Sequence, residues 1–158
     1  MNLSKHQEFL IGNYAQPALE IVRGEGSWLW DSSGKKYLDC ASGIAVTTLG
    51  HSHSHWVENV QHQAAELVHC SNLFSIPQQV SLAERLVQKM GPGKVLFCNS
   101  GAEATEALIK LSRLYGNQAS RKRSKVLVAT NGFHGRTLGA LSATESLKYR
   151  QGFEPLLP

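Results

Sequence analysis

The feature that most limits the possible folds is a strand–helix–strand pattern between Lys94 and Ala129. Residues 94–98 and 125–129 are short apolar segments typical of buried strands, and the stretch between them has helical periodicity to about Tyr115. Two strands joined by a helix within about 35 residues are typical of a βαβ unit, whose strands run parallel. The pattern therefore predicts an α/β fold in which helices cover a parallel sheet.

The residues before this pattern predict a different organisation. Three short segments, rich in aromatic and β-branched residues and separated by Gly, Asp and Ser turns, predict an antiparallel β-meander. These segments are Leu19–Val22, Trp28–Trp30 and Lys36–Leu38. Two helices should follow, one from Trp56 to Val68 and one that begins at Ser81 through a capping box and ends at Gly91.

Two residues of the βαβ unit carry local expectations. Gly116 follows the last helical residues, so we expect it to end the helix in the left-handed conformation. Cys98 ends the first apolar segment, so we expect it to be buried and chemically inert.

The composition excludes several classes of protein. Hydrophobic residues make up 42% of the 158 residues and charged residues 18%, which is ordinary for a globular protein. No apolar stretch is long enough to cross a bilayer, and the N-terminus lacks the apolar core of a signal peptide. Three cysteines without a Cys-x-x-Cys pair favour a reducing cytosol. The net charge of +4 permits an anionic ligand, but the basic run 121–125 lacks interleaved aromatic residues and predicts a solvated loop, not a nucleic-acid surface.

The first candidate site is the junction of strand and helix at Asn99–Glu103. The first backbone N–H groups of a helix have no intrahelical acceptor and attract anions. One interpretation is a phosphate-binding cup made by the N–H groups of Gly101 and Ala102, with help from the Ser100 hydroxyl. The other is an ordinary capping box between Ser100 and Glu103, which spacing alone favours.

The second candidate site is Phe133–Thr137, just beyond the second apolar segment. It offers an aromatic ring, an imidazole and the guanidinium of Arg136, which can bind a carboxylate bidentately. A plain surface loop is an equal alternative on composition alone. Because the ends of parallel strands meet at one edge of a sheet, the two candidates together suit a phosphorylated aromatic cofactor with an amino-acid substrate. The alternating histidines of 51–55 have no carboxylate or thiol at ligand spacing, and we predict no metal site there.

The chain resembles the class III, pyridoxal-phosphate-dependent aminotransferases of fold type I, and among them the acetylornithine type. The resemblance extends from about Tyr14 through nearly the whole chain. It is carried by collinear motifs at Ile21–Asp31, Tyr37–Asp39, Gly43–Val46, Leu49–His51, Ser71–Phe74, Asn99–Ala104 and Phe133–Thr144.

The resemblance implies pyridoxal 5'-phosphate as the cofactor and assigns roles to six residues. It implies that Ser100, Gly101 and Ala102 hold the cofactor phosphate and that Phe133 packs on the pyridine ring. Arg136 would bind the α-carboxylate of the substrate. A weaker assignment places Tyr14 at the border of the substrate pocket. The resemblance also implies that residues 1–75 contribute to a small domain and a dimer interface, and that residues 76–158 begin the large cofactor-binding domain.

The implied reaction moves the δ-amino group of N-acetylornithine to 2-oxoglutarate, in arginine biosynthesis, within a cytoplasmic homodimer. Ornithine, succinylornithine and 4-aminobutyrate remain alternative donors. In such enzymes the Schiff-base lysine, and the Asp that holds the pyridinium nitrogen, lie beyond the matched region. We therefore expect no catalytic residue in this chain and no activity from it alone. A non-catalytic remnant or an interaction subunit is the alternative from a different class.

Overall fold

The computed structural model describes residues 3–118 and 123–157, which include ten helices and strands. These residues belong to two compact units, Met1–Phe74 and Ser75–Pro158. The elements of the first unit are α1 (Leu3–Phe9), β1 (Ile21–Glu25), β2 (Trp28–Asp31), β3 (Lys36–Leu38), α2 (Ser42–Ala45) and α3 (Ser54–Glu66). Those of the second are α4 (Pro77–Met90), α5 (Gly101–Asn117), α6 (Leu138–Ser142) and α7 (Leu147–Arg150).

The predicted β-meander is confirmed: β1, β2 and β3 form an antiparallel sheet in that order. Its second turn is organised by Asp31, whose Oδ1 accepts hydrogen bonds from the backbone N–H groups of Ser33 at 2.9 Å and Lys35 at 3.0 Å. The hydroxyl of Ser33 also donates to Oδ1, and that of Tyr37 donates to Oδ2 at 2.7 Å. These bonds, with the Ser33 and Tyr37 hydroxyls first, lower the pKa of Asp31 to about 2.

A strained turn follows the meander. Ser42, Gly43, Ile44 and Ala45, which form α2, all have φ between 48° and 63°, the left-handed region that costs an L-residue about 1–2 kcal/mol. The turn is held by Asp39, whose Oδ1 accepts from the N–H of Ser42 at 2.9 Å. The other carboxylate oxygen of Asp39 lies 2.6 Å from the Nε2 atom of a histidine in the 51–55 run, His51.

The helix predicted to begin at Ser81 begins four residues earlier, at Pro77. Proline is favoured at the first helical position because its φ is already helical and the N–H that it lacks would have no partner there. The capping-box spacing from Ser81 to Glu84 therefore falls inside α4 instead of starting it.

The two apolar segments predicted to be parallel strands do not form a ladder. Neither 94–98 nor 125–129 is hydrogen-bonded as a strand, and within the described residues the only sheet is the meander. Strand structure requires a hydrogen-bonding neighbour, and the described part of the chain supplies none for either segment. Cys98, expected to be buried, is exposed for the same reason.

Gly116 does not end α5 in the left-handed conformation. It lies inside the helix and is buried against the backbone carbonyl of Arg123, where a Cβ atom would overlap the oxygen. The N–H of Arg123 donates to the carbonyl of Gly116 at 3.2 Å. The glycine is thus needed for a close approach between two backbones. Arg121 and Lys122, in the predicted solvated loop, lie outside the described residues.

The side chains fully covered in this structure are few. Among residues whose side chains are described, the buried side chains are those of Ala140, Leu141 and Thr144, all around α6. None of the helices in the described parts of the chain is long and apolar enough to span a bilayer.

Candidate functional site: an anion cup and a clamped loop

The N-terminus of α5 forms the predicted capping box. The hydroxyl oxygen of Ser100 accepts from the N–H of Glu103 at 3.2 Å, and the Glu103 carboxylate accepts from the N–H groups of Ser100 at 3.1 Å and Asn99 at 2.7 Å. Ser100 itself is extended, with φ −150° and ψ 159°. The capping box therefore satisfies backbone N–H groups around the helix start. The Glu103 carboxylate accepts hydrogen bonds from N–H groups that precede the helix, those of Asn99 and Ser100.

The capping box leaves the N–H groups of Gly101 and Ala102 without an intrahelical acceptor, because they belong to the first turn of α5. The position that a side chain of Gly101 would occupy has no atom within 4 Å. An anion can therefore approach these two donors closely, and the positive end of the helix dipole favours it. The capping box and the phosphate cup, which the sequence left as alternatives, are compatible because they use different N–H groups.

The loop that carries Phe133 and Arg136 lies directly against this helix start. Gly135 has φ +133°, and a Cβ atom there would lie 3.2 Å from the Cβ of Ala102 and 2.9 Å from that of Ala140. Only glycine allows this conformation and this approach. The structure thus brings together the two segments that sequence analysis selected.

The loop is held from the inside by Thr144, whose side chain is completely buried. Its hydroxyl oxygen accepts from the N–H of His134 at 3.0 Å and lies within donating distance of the carbonyls of Ala140, at 3.0 Å, and Gly135, at 3.3 Å. One short side chain therefore fixes both the loop and the turn of α6 beneath it.

From the helix side, the loop is held by Glu106 of α5. Its Oε1 atom accepts from the Thr137 hydroxyl at 2.5 Å and from the N–H of Ala140 at 3.1 Å, and the N–H of Gly139 is a further donor. These hydrogen bonds, that of Thr137 first, lower the pKa of Glu106 below its usual value. Sequence analysis missed Glu106, because its partners are about 30 residues away. A carboxylate one helical turn beyond Glu103 was the only available signal.

The side chains of Phe133 and Arg136 meet a third aromatic group, Tyr149 of α7. The rings of Phe133 and Tyr149 are 5.8 Å apart at an interplanar angle of 73°, an edge-to-face pair. The Cζ atom of Arg136 lies 4.8 Å from the centroid of the Tyr149 ring. Phe133 remains 59% exposed, so part of its ring is accessible to a ligand.

Tyr14 lies in the first compact unit, whereas the other five residues selected from the sequence lie in the second. It follows α1, is 69% exposed, and lines a shallow groove of about 270 Å³ with His6 and Leu10. His51, in the same unit, bonds Asp39 as described above. Within the described residues no three His, Cys, Asp or Glu side chains converge on a point where they could hold a metal ion.

An anion cup beside an aromatic ring and a guanidinium is the arrangement expected for a phosphorylated planar cofactor, and the family comparison agrees with it. The model of the aminotransferase class III family matches residues 11–158, and the chain belongs to this family. The family uses pyridoxal 5'-phosphate.

Among curated relatives, the chain is similar to the acetylornithine aminotransferases of Prochlorococcus marinus and Caldanaerobacter subterraneus. The first is 51% identical over 150 residues, covering 94% of this chain and 36% of the relative. The second is 46% identical over 156 residues, covering 98% and 40%. The chain thus spans well under half the length of these relatives.

Solved structures show the same fold. The ornithine aminotransferase of Toxoplasma gondii superposes with a TM-score of 0.92 at 26% identity, over 99% of this chain and 38% of that one. An omega transaminase of Pseudomonas jessenii, solved in complex with PMP, superposes with a TM-score of 0.86 at 30% identity, over 100% and 38%. The predicted fold class is therefore confirmed, although residues 94–98 and 125–129 form no ladder with any part of the chain that the structure describes.

Proposed function

We propose that this chain is the cofactor-cradling portion of a pyridoxal-phosphate-dependent aminotransferase. The observation that supports it most directly is the contact between Gly135 and Ala102, which places the loop of Phe133 and Arg136 beside the two unpaired N–H groups of α5. When bound, pyridoxal phosphate supplies a ring that withdraws electrons from the carbon bearing the amino group.

We call Ser100, Gly101, Ala102, Phe133 and Arg136 the cofactor cradle. Each of these residues has a physical task. The N–H groups of Gly101 and Ala102 would bind the phosphate, and the hydroxyl proton of Ser100 would be available to it as a further donor. The exposed ring of Phe133 would pack on the cofactor ring and exclude water from it. Arg136 would orient the amino acid by a bidentate bond to its carboxylate.

The proposed reaction is amino transfer from N-acetylornithine to 2-oxoglutarate, in cytoplasmic arginine biosynthesis. The names and identities of the curated relatives support this choice. Ornithine, succinylornithine and 4-aminobutyrate remain alternative donors, because Arg136 selects a carboxylate without selecting the group at the far end. The three free cysteines are compatible with a reducing compartment.

We assign the two regions different tasks. Residues 1–75 would contribute to a small domain and a homodimer interface, with Tyr14 at the edge of the substrate pocket. Residues 76–158 would begin the large cofactor-binding domain, since they contain the cup and the clamped loop.

We further propose that the 158-residue chain does not transaminate alone, because the family resemblance implies that the reactive lysine lies beyond the matched region. A non-catalytic interaction subunit is a second candidate. The chain exposes 13504 Å², whereas two separate folded proteins of half its mass would together expose about 9400 Å², and this uncovered surface suits either the rest of an enzyme or a separate partner protein. Reading the coding sequence past Pro158 separates the candidates: an in-frame continuation with the lysine supports the enzyme, and a stop codon supports the subunit.

The cradle can be tested with pyridoxamine 5'-phosphate, which binds without reacting with lysine side chains. Calorimetric titration of the chain should show binding, and pyridoxamine without the phosphate should bind at least tenfold more weakly.

Gly101→Pro provides a sharp perturbation, because it deletes one N–H at the helix position that tolerates proline best, after an extended Ser100. Loss of a hydrogen bond to a charged group should weaken binding roughly 10- to 100-fold. Gly101→Ala is the matched control, since it keeps the N–H and adds a Cβ at the same position as proline does, so that any crowding of the anion by the Cβ is common to both variants. Equal affinities of the two variants, or of the two ligands, would refute the phosphate cup.

A further inference from the structure

We propose that Tyr149 is a positioning residue that holds the guanidinium of Arg136 in its binding orientation and links it to Phe133. This inference rests on the proposed function, because it takes Arg136 as the carboxylate-binding group. It goes beyond that function by assigning a task to a residue on α7, outside both sequence motifs that build the cradle.

The geometry places one ring between two proposed binding groups. Arg136 lies over the Tyr149 ring, with its Cζ atom 4.8 Å from the centroid, and Phe133 meets the same ring edge-to-face at 5.8 Å. Tyr149 is half-buried, whereas Phe133 and Arg136 are exposed. The two exposed side chains therefore pack against the less exposed ring.

A ring is a suitable partner for an arginine that must bind a carboxylate. A long, exposed arginine loses about 2 kcal/mol of rotamer entropy when it is fixed in one geometry. An aromatic surface contributes part of this ordering before the ligand arrives, through attraction between the cation and the ring face. A ring attracts the cation through its π face and occupies no N–H donor by a conventional hydrogen bond, whereas an acidic partner would occupy donors that the ligand needs.

The position of α7 makes the ring a connection between two binding functions. The helix contacts α6, which begins two residues after Arg136 and whose first turn is held by Glu106. Tyr149 therefore belongs to the same clamped region as the loop. Its ring couples the group that would bind the carboxylate to the group that would pack on the cofactor.

The test compares Tyr149→Phe with Tyr149→Leu in the 158-residue chain saturated with pyridoxamine 5'-phosphate. Phenylalanine retains the ring, and leucine retains apolar bulk without a π face. The probe is glutarate, an unreactive dicarboxylate, and its affinity is read from calorimetry and from the Nε–H signals of ¹⁵N-labelled arginine. Backbone amide signals of Gly101 and Ala102 report in every variant whether the cup is still folded.

We expect the Tyr149→Phe variant to bind glutarate within about twofold of the parent chain, and the Tyr149→Leu variant to bind it roughly 3- to 30-fold more weakly. Pyridoxamine phosphate should bind both variants within about threefold of the parent, because the cup is on α5. A residue that only stabilised the fold would weaken the binding of both ligands. Weaker glutarate binding with nearly unchanged pyridoxamine phosphate binding would therefore indicate that Tyr149 positions Arg136.

Two results would overturn the inference while leaving the proposed function intact. One is an unchanged glutarate affinity in the leucine variant. The other is an equal loss in both variants, which would show that the hydroxyl, not the ring, matters. Arg136→Lys tests the underlying function separately, because lysine lacks the planar fork. The proposed function is refuted if the Arg136→Lys variant binds glutarate as the parent does, or if the parent does not bind pyridoxamine phosphate. Either result also refutes the inference about Tyr149, because it depends on that function.

Discussion

Replacing Glu106 by alanine should loosen the start of α6 and, with it, the loop that carries Phe133 and Arg136. Glu106 reaches from α5 to three donors: the hydroxyl of Thr137 and the N–H groups of Gly139 and Ala140. Thr137, the N-cap residue of α6, makes no side-chain capping bond to the helix, and its hydroxyl donates to Glu106.

The magnitude follows from the surroundings of the three donors. Thr137 is exposed and can bond water when the carboxylate is removed, so its loss costs little. Gly139 and Ala140 are buried, and a buried N–H that loses its acceptor costs about 1–3 kcal/mol. Some entry of water into the vacated space reduces the total to about 2–4 kcal/mol, which corresponds to a roughly 30- to 900-fold change in a local opening equilibrium.

Amide hydrogen exchange measures this opening directly, because it reports local unfolding segment by segment. Amides of residues 138–143 should exchange faster by that factor in the Glu106→Ala variant. Glu106→Gln keeps an oxygen for Thr137 and Ala140 but replaces the second acceptor oxygen by an NH₂ group and removes the charge, so it should cost about 1 kcal/mol, or roughly fivefold. Glu84→Ala is the matched control, since Glu84 is exposed on α4 and accepts one bond from Gln88.

Two outcomes would refute this reasoning. One is a change of less than threefold in residues 138–143 of the Glu106→Ala variant. The other is an equal acceleration across α4 and α6, which would mean that the whole unit, not the cap, has been weakened. The pH dependence is a second check. Because the pKa of Glu106 is lowered on folding, its contribution is complete above the ordinary glutamate pKa and declines as the pH falls through the lowered value.

Three further predictions concern single positions. Gly135→Ala should reduce affinity for pyridoxamine phosphate at least tenfold by calorimetry, because a Cβ atom at φ +133° would be forced against Ala102; unchanged affinity would contradict the packing. Ile44→Gly should raise the urea midpoint, because Ile44 is 91% exposed with φ 63° and glycine removes about 0.5–1 kcal/mol of net strain, whereas alanine keeps a Cβ atom and should not. The pKa of Asp31 is lowered to about 2, chiefly by the hydrogen bond from Ser33. The stabilisation that the ionised Asp31 gives the meander should therefore persist above pH 4 and disappear toward pH 2. Tryptophan fluorescence of β2 should show this acid transition in the parent chain and not in the Asp31→Asn variant.

Local patterns in the sequence were sufficient for several elements. The meander and the capping box at Ser100 formed as predicted, because each depends on residues within a few positions of one another. The motif at Phe133–Thr137 was also found from the sequence, since its side-chain chemistry is visible without a fold. The start of α4 was misplaced because two local signals competed, and Pro77 prevailed over Ser81.

Interactions between distant residues were decided only by the tertiary structure. Glu106 and Thr144 hold the loop through partners that no spacing rule selects, and Gly116 serves a close contact with Arg123 instead of a helix end. The apolar pattern of 94–98 and 125–129 specifies segments suited to a sheet, but a strand exists only where another strand bonds to it. The sequence by itself therefore determined which residues are proposed to bind a phosphorylated cofactor, because donors, rings and charges are properties of residues. Their convergence at one helix start was decided by the structure, because it depends on contacts such as that between Gly135 and Ala102.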